Sequence, residues 1–86
     1  MLVMRADFRD LLTFLRAYQG SPTGLTGQVH DRLPWDIKKT YRLRKFCLEE
    51  GLLELDHTGR EEGWHPRPTR YYKLTTKARR LLEVMD

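Results

Sequence analysis

The feature that most constrains this chain is Pro34, set between two stretches of helical apolar spacing. Leu25, Val29 and Leu33 recur every four residues, the period of one helix face, and leave Gln28, His30 and Arg32 for the outside. Pro34 ends that run, because proline lacks an amide donor and biases the residue before it away from the helical region. Trp35 and Asp36 then lead directly into a second run, Ile37, Leu43, Phe46, Cys47 and Leu48, with Asp36 placed to cap it. Gly51 closes that run as a left-handed C-terminal residue. A short helix and a longer one are thus predicted to meet at a tight turn within about 25–50.

The flanking segments follow the same logic. Phe8, Leu11, Leu12, Leu15 and Tyr18 predict a first helix, capped by Asp7, with Asp10 near its positive end. Gly20, Ser21, Pro22 and Gly24 stop it. Past Gly51 the apolar period becomes two: Leu52 to Asp56 reads as a strand with Leu53 and Leu55 on one face, and tyrosine-rich Arg70 to Leu74 as its partner. A polar loop, 57–69, carries Gly59, Gly63, Pro66 and Pro68, so the predicted hairpin at about 52–74 has a long tip. Thr75 or Thr76 caps a last helix at about 76–85, striped by Ala78, Leu81, Leu82 and Met85. The expectation is one α+β domain spanning 1–86, a helical bundle with a two-stranded β-hairpin.

With 86 residues the chain supports one modest core and is too short for separate substrate and catalytic layers. Cys47 stands alone, which excludes an intrachain disulfide and a thiolate zinc cluster, and with His57 and His65 it matches no zinc spacing. No nucleophile context and no phosphate-cradling glycine motif is present, so neither catalysis nor a cofactor is read. No apolar run approaches membrane-span length, and Met1 to Met4 is too short for a signal core. The expectation is a soluble cytoplasmic protein without a membrane partner.

Three stretches, in this order and spacing, carry a family resemblance: Leu25 Thr26 Gly27 Gln28 Val29, Glu49 Glu50 Gly51 Leu52 Leu53, and Tyr71 Tyr72 Lys73 Leu74 Thr75 Thr76 Lys77 Ala78. In them the chain resembles the winged helix-turn-helix superfamily, especially the small prokaryotic regulators of the MarR and PadR types. Ala78 stands where many relatives carry glycine. The resemblance implies double-stranded DNA binding in transcriptional regulation, with the helix of Pro34 to Gly51 in the major groove and the hairpin, as a wing, on the backbone or minor groove.

Charge agrees with a polyanionic partner. The net charge is +4, and its surplus lies in the second half: from Asp36 to Arg80 twelve basic residues face seven acidic ones. Wound at about 100° per residue, the longer helix gathers Lys38, Arg42, Lys45 and Glu49 on one side, opposite Leu43 and Cys47. Lys38 and Arg42, in its N-terminal half, are the expected base readers, and Lys39 and Lys45 the expected phosphate contacts. Trp35 and Tyr41 stand second to these, since both more often pack. In the hairpin, Arg60, Arg67 and Arg70 interleave with Trp64 and His65, a composition suited to backbone or minor-groove contact. Thr26 and Gln28, opening the short helix, are further phosphate candidates.

Two alternatives accompany this reading. The same fold serves as a protein-docking or replication-assembly module, which salt-dependent retention on duplex DNA distinguishes. Phe14, which the first helix leaves off its main face, and Val3 and Met4, which precede that helix, together with Leu82, Val84 and Met85, predict an exposed patch and a homodimer.

Overall fold

The computed structural model describes residues 4–59 and 68–85, with side chains from residue 8 onward. Among these residues the chain is α+β, with helices α1 (Met4–Gln19), α2 (Thr26–His30), α3 (Ile37–Glu49) and α4 (Thr76–Met85) around an antiparallel pair, β1 (Leu53–Gly59) and β2 (Thr69–Leu74). None of these helices is long and apolar enough to cross a membrane.

Helix α1 begins at Met4, four residues before the start at Phe8 that an Asp7 cap implies. It packs against α2, α3, α4 and β2. A helix with neighbours on several sides buries a wide arc, and Leu11, Leu12, Phe14, Leu15 and Tyr18 are all interior. That corrects the placement of Phe14 outside the core. Its ring is fully buried and meets Tyr18 edge-on at 5.1 Å. Leu82 of α4 is interior as well, so the patch invoked for a homodimer loses two of its members to the core. Phe8 closes the N-terminal end of the α1 stripe and, contrary to expectation, is 39% exposed.

The turn that follows α1 is held tightly. Gly24 adopts φ +75°, and its carbonyl accepts a hydrogen bond from the Tyr72 amide at 3.0 Å, beside an isolated bridge between Leu25 and Tyr71. The connection between helices thus docks edge-on against β2, which leaves no room for a side chain at residue 24. Val29 of α2 is buried, while Leu25 and Leu33 are half-buried beside the core.

Asp36 caps α3 as predicted, accepting from the Lys39 amide at 3.0 Å. At the other end Gly51 adopts φ +72°, its amide donates to Leu48 and the Leu52 amide donates to Cys47 at 2.8 Å. This paired reversal closes a helix with a left-handed residue and turns the chain into β1. The start of α4 then satisfies carbonyls that α3 leaves over: the Thr75 hydroxyl donates to Gly51 at 2.6 Å, and the Lys77 ammonium to Glu50 at 2.9 Å. Thr75 also caps α4 by accepting from the Ala78 amide.

The strands pair from Leu53 with Leu74 to Gly59 with Thr69, and the register shifts between Leu55 and His57 so that Asp56 is the extra residue of a bulge. The connecting loop is therefore shorter than 57–69, because both strands extend into it. Leu53 is buried, but Leu55, expected on the same inward face, is half-exposed beside the bulge.

Candidate functional site

Helix α3 carries four of the candidate residues, Lys38, Lys39, Arg42 and Lys45, and what fixes its orientation is polar. Thr40, fully buried one turn into the helix, takes a hydrogen bond from the Trp35 indole at 3.0 Å and shares another with His30 Nδ1 at 2.8 Å. This hydroxyl joins the end of α2, the turn and α3 at one point. Two turns on, Cys47 lies on the same face and is also fully buried, and loss of hydration pushes its thiol up to about 12. The thiol is neutral and inert, a small apolar filler.

With Thr40 and Cys47 pointing inward, the opposite side of α3 faces solvent. Lys38, Arg42, Lys45 and Glu49 are all exposed on it, as the helical winding predicts. Among the described residues, Lys38, Arg42 and Lys45 enter no ion pair. Three free cations project there from one rigid element.

Lys39 is placed differently from its neighbours. Its ammonium forms an ion pair with Asp10 of α1 and lies 4.7 Å above the Trp35 ring centroid, half-buried. The charge expected to reach phosphate is thus engaged within the fold, as is Trp35. Thr26 likewise turns inward: its buried hydroxyl shares a 2.7 Å hydrogen bond with the Tyr18 phenol and receives one from Arg44 at 3.1 Å. It does not cap α2, whose N-cap is Leu25 and uses no side chain. Gln28 is exposed, with its amide oxygen accepting from the Thr23 hydroxyl at 2.7 Å. Arg70 is exposed on β2 opposite Thr58, and Arg60 and Arg67 lie outside the described residues.

Arg44 is a residue that periodicity alone did not single out. Besides reaching Thr26, its guanidinium lies 4.7 Å from the Tyr41 ring centroid and 5.3 Å from that of Tyr72. It joins α3 to the start of α2 and to β2, and it holds the Tyr41 ring beside the basic face. Burial pushes the Tyr18 phenol at the end of this chain up to about 12, the hydrogen bond with Thr26 opposing in part. The i, i+3, i+7 spacing of Thr40, Leu43 and Cys47 is the signal that locates the inner face, provided that a threonine is admitted to it.

On the apolar side the expectation for α3 is overturned at three positions. Ile37, Phe46 and Leu48 belong to the run that predicts the helix, yet all three are exposed, as is Tyr41. Their angular positions fall outside the narrow arc held by Thr40 and Cys47.

On the hairpin, His57 stacks on Tyr71 across the strands at 4.5 Å, with the ring planes 11° apart. The hydrogen bond with His57 is the main influence holding the exposed Asp56 carboxyl below its usual range, and Lys73 adds to it.

Among known families, curated proteins and solved structures, none matches this chain.

Proposed function

We propose that this chain is a single winged-helix domain that binds double-stranded DNA sequence-specifically, most simply as a transcriptional regulator. In this reading α3 enters the major groove, and the β1–β2 hairpin is the wing on the backbone or minor groove. One observation carries it: Lys38, Arg42 and Lys45 project, exposed and without ion pairs among the described residues, from a helix whose opposite side is anchored by Thr40 and Cys47. A helix that reads a groove needs that division, and unpaired cations carry no internal bond that phosphate or guanine must displace. Lys38 and Arg42 are assigned to base edges, Lys45 and Gln28 to phosphate, and Arg70 to the flank of the site. Thr26, Trp35 and Lys39 act as positioning residues that set the angle of α3. The assignment is to a binding protein rather than an enzyme.

The test is binding to duplexes selected from a random library, measured across a range of salt. Lys38→Ala and Arg42→Ala should each weaken the preferred duplex by about 1–3 kcal/mol, the usual value of a major-groove base contact. Wild-type affinity in both variants refutes the assignment of α3.

The exposed Phe46, about 40° around α3 from Arg42, supports a second reading, a docking module for a partner protein. Such a module shows no salt-dependent retention on duplex DNA, which separates the two.

A further inference from the structure

We infer that the apolar edge of α3 formed by Ile37 and Tyr41 contacts thymine C5-methyl groups, so that the preferred duplex carries thymines beside the bases read by Lys38 and Arg42. The inference rests on the DNA-binding reading above and adds to it a second class of base contact.

Four observations lead to it. First, Ile37 is 39% and Tyr41 47% exposed, although both sit on a helix with a defined inner face. Neither is needed to close the core cluster around Cys47. Second, the two residues are one turn apart, about 6 Å along the axis, and only about 40° apart around it. They form a continuous edge at the N-terminal half of α3. Third, this edge directly borders the basic face, because Tyr41 lies about 60° around the helix from Lys38 and precedes Arg42. Whatever the cations approach, the edge approaches too. Fourth, the Tyr41 ring is held in place by the Arg44 guanidinium, which is itself fixed by Thr26 and Tyr72. An exposed aromatic ring pinned by a half-buried cation gives up little conformational freedom on binding.

Thymine is the partner that suits this combination. In the major groove it is the natural base with an apolar projection, a methyl group that takes contact from small aliphatic and aromatic side chains. The adjacent positive charge places the edge against a polyanion rather than an apolar protein groove. The edge spans about two base-pair steps at the helical rise of α3, so two thymines within two steps of each other are the expected target.

The experiment uses the full chain and the most enriched duplex from a random library, resynthesised with deoxyuridine replacing each thymine in turn, which deletes only the methyl group. Binding is followed by fluorescence anisotropy. Wild type should bind about fourfold more weakly at one or two of the replaced positions, equivalent to about 0.8 kcal/mol for one buried carbon. Ile37→Ala and Tyr41→Ser should each bind the thymine and uracil forms alike at the position they contact, while Tyr41→Phe retains the discrimination. Thermal unfolding of each variant checks that it is folded.

Equal wild-type affinity for both forms at every position, with Arg42→Ala still weakening each, overturns the methyl contact and leaves DNA binding standing. Discrimination that persists in both Ile37→Ala and Tyr41→Ser overturns the assignment to this edge. Absence of salt-dependent binding to any duplex overturns both readings together.

Discussion

Two glycines with nearly the same backbone angle ought to respond to alanine very differently. Gly24 has φ +75° and Gly51 φ +72°, so a Cβ at either position meets the left-handed penalty of about 1–2 kcal/mol. Their surroundings differ. Around Gly51, its own chain neighbours aside, nothing lies within 4 Å of where a Cβ would stand. At Gly24 the Cβ would overlap the Tyr72 carbonyl oxygen and lie 3.1 Å from the carbonyl carbon and 3.2 Å from the nitrogen of the same residue. These are backbone atoms of β2, so relief requires parting the turn from the strand. That breaks the 3.0 Å hydrogen bond from Tyr72 to Gly24 and strands its two polar groups, at about 1–3 kcal/mol. Gly24→Ala should therefore lose about 2–5 kcal/mol and Gly51→Ala about 1–2. A domain of this length has roughly 4–13 kcal/mol in total, so the first loss is a large part of its stability. At about 4–8 °C per kcal/mol, Gly24→Ala should melt at least about 8 °C below wild type. Circular dichroism melts and urea titrations of both variants provide the assay. The smaller unfolded-state entropy of alanine enters both measurements equally and cancels in their difference. A Gly24→Ala variant no less stable than Gly51→Ala would refute the close approach of turn and strand.

Further outcomes follow from the same contacts. Thr40→Val removes the hydroxyl shared by His30 and Trp35, and should cost about 1–3 kcal/mol with a shift in Trp35 fluorescence, read in urea titrations. Lys39→Ala should lower stability by about 1 kcal/mol while leaving the salt slope of duplex binding unchanged, whereas Lys45→Ala should reduce that slope by about one; equal slopes in the two variants would contradict the split between them. Native Cys47 should resist a thiol reagent at pH 8 and react on unfolding, because burial holds the proton on its sulfur. Above pH 9 the chain should lose stability up to about pH 12. In that window the unfolded state releases protons that native Cys47 and Tyr18, both raised to about 12, retain, so rising pH favours unfolding; stability flat over that range would contradict their burial.

Much of the scaffold was legible from local rules. Although α2 ends at His30, short of the break expected at Pro34, the Asp36 cap, the left-handed Gly51 and the change from helical to alternating period all concern residues within one turn of each other. Their physics is complete in the sequence. The outward side of α3 was legible for the same reason, since a helix of known period that buries Cys47 must turn Lys38, Arg42 and Lys45 the other way.

What tertiary structure alone decided depends on partners distant in sequence. Periodicity assigns faces by polarity, yet the inner face of α3 is anchored by a threonine. Thr40 can be buried only because Trp35 and His30 arrive beside it, while Ile37 and Phe46 are left outside. Lys39 and Lys38 are adjacent and chemically identical, and they part ways because α1 delivers Asp10 to one and not to the other. Phe14 became interior because α1 is enclosed on several sides, a fact about neighbours that no helical wheel contains. Gly24 read locally as a helix stop, and only the passage of Tyr72 across it shows why a side chain has no room there. The sequence by itself determined which elements form and how α3 is capped and closed, since those energies are local; packing decided how far the other elements run and which side chains remain available to a partner.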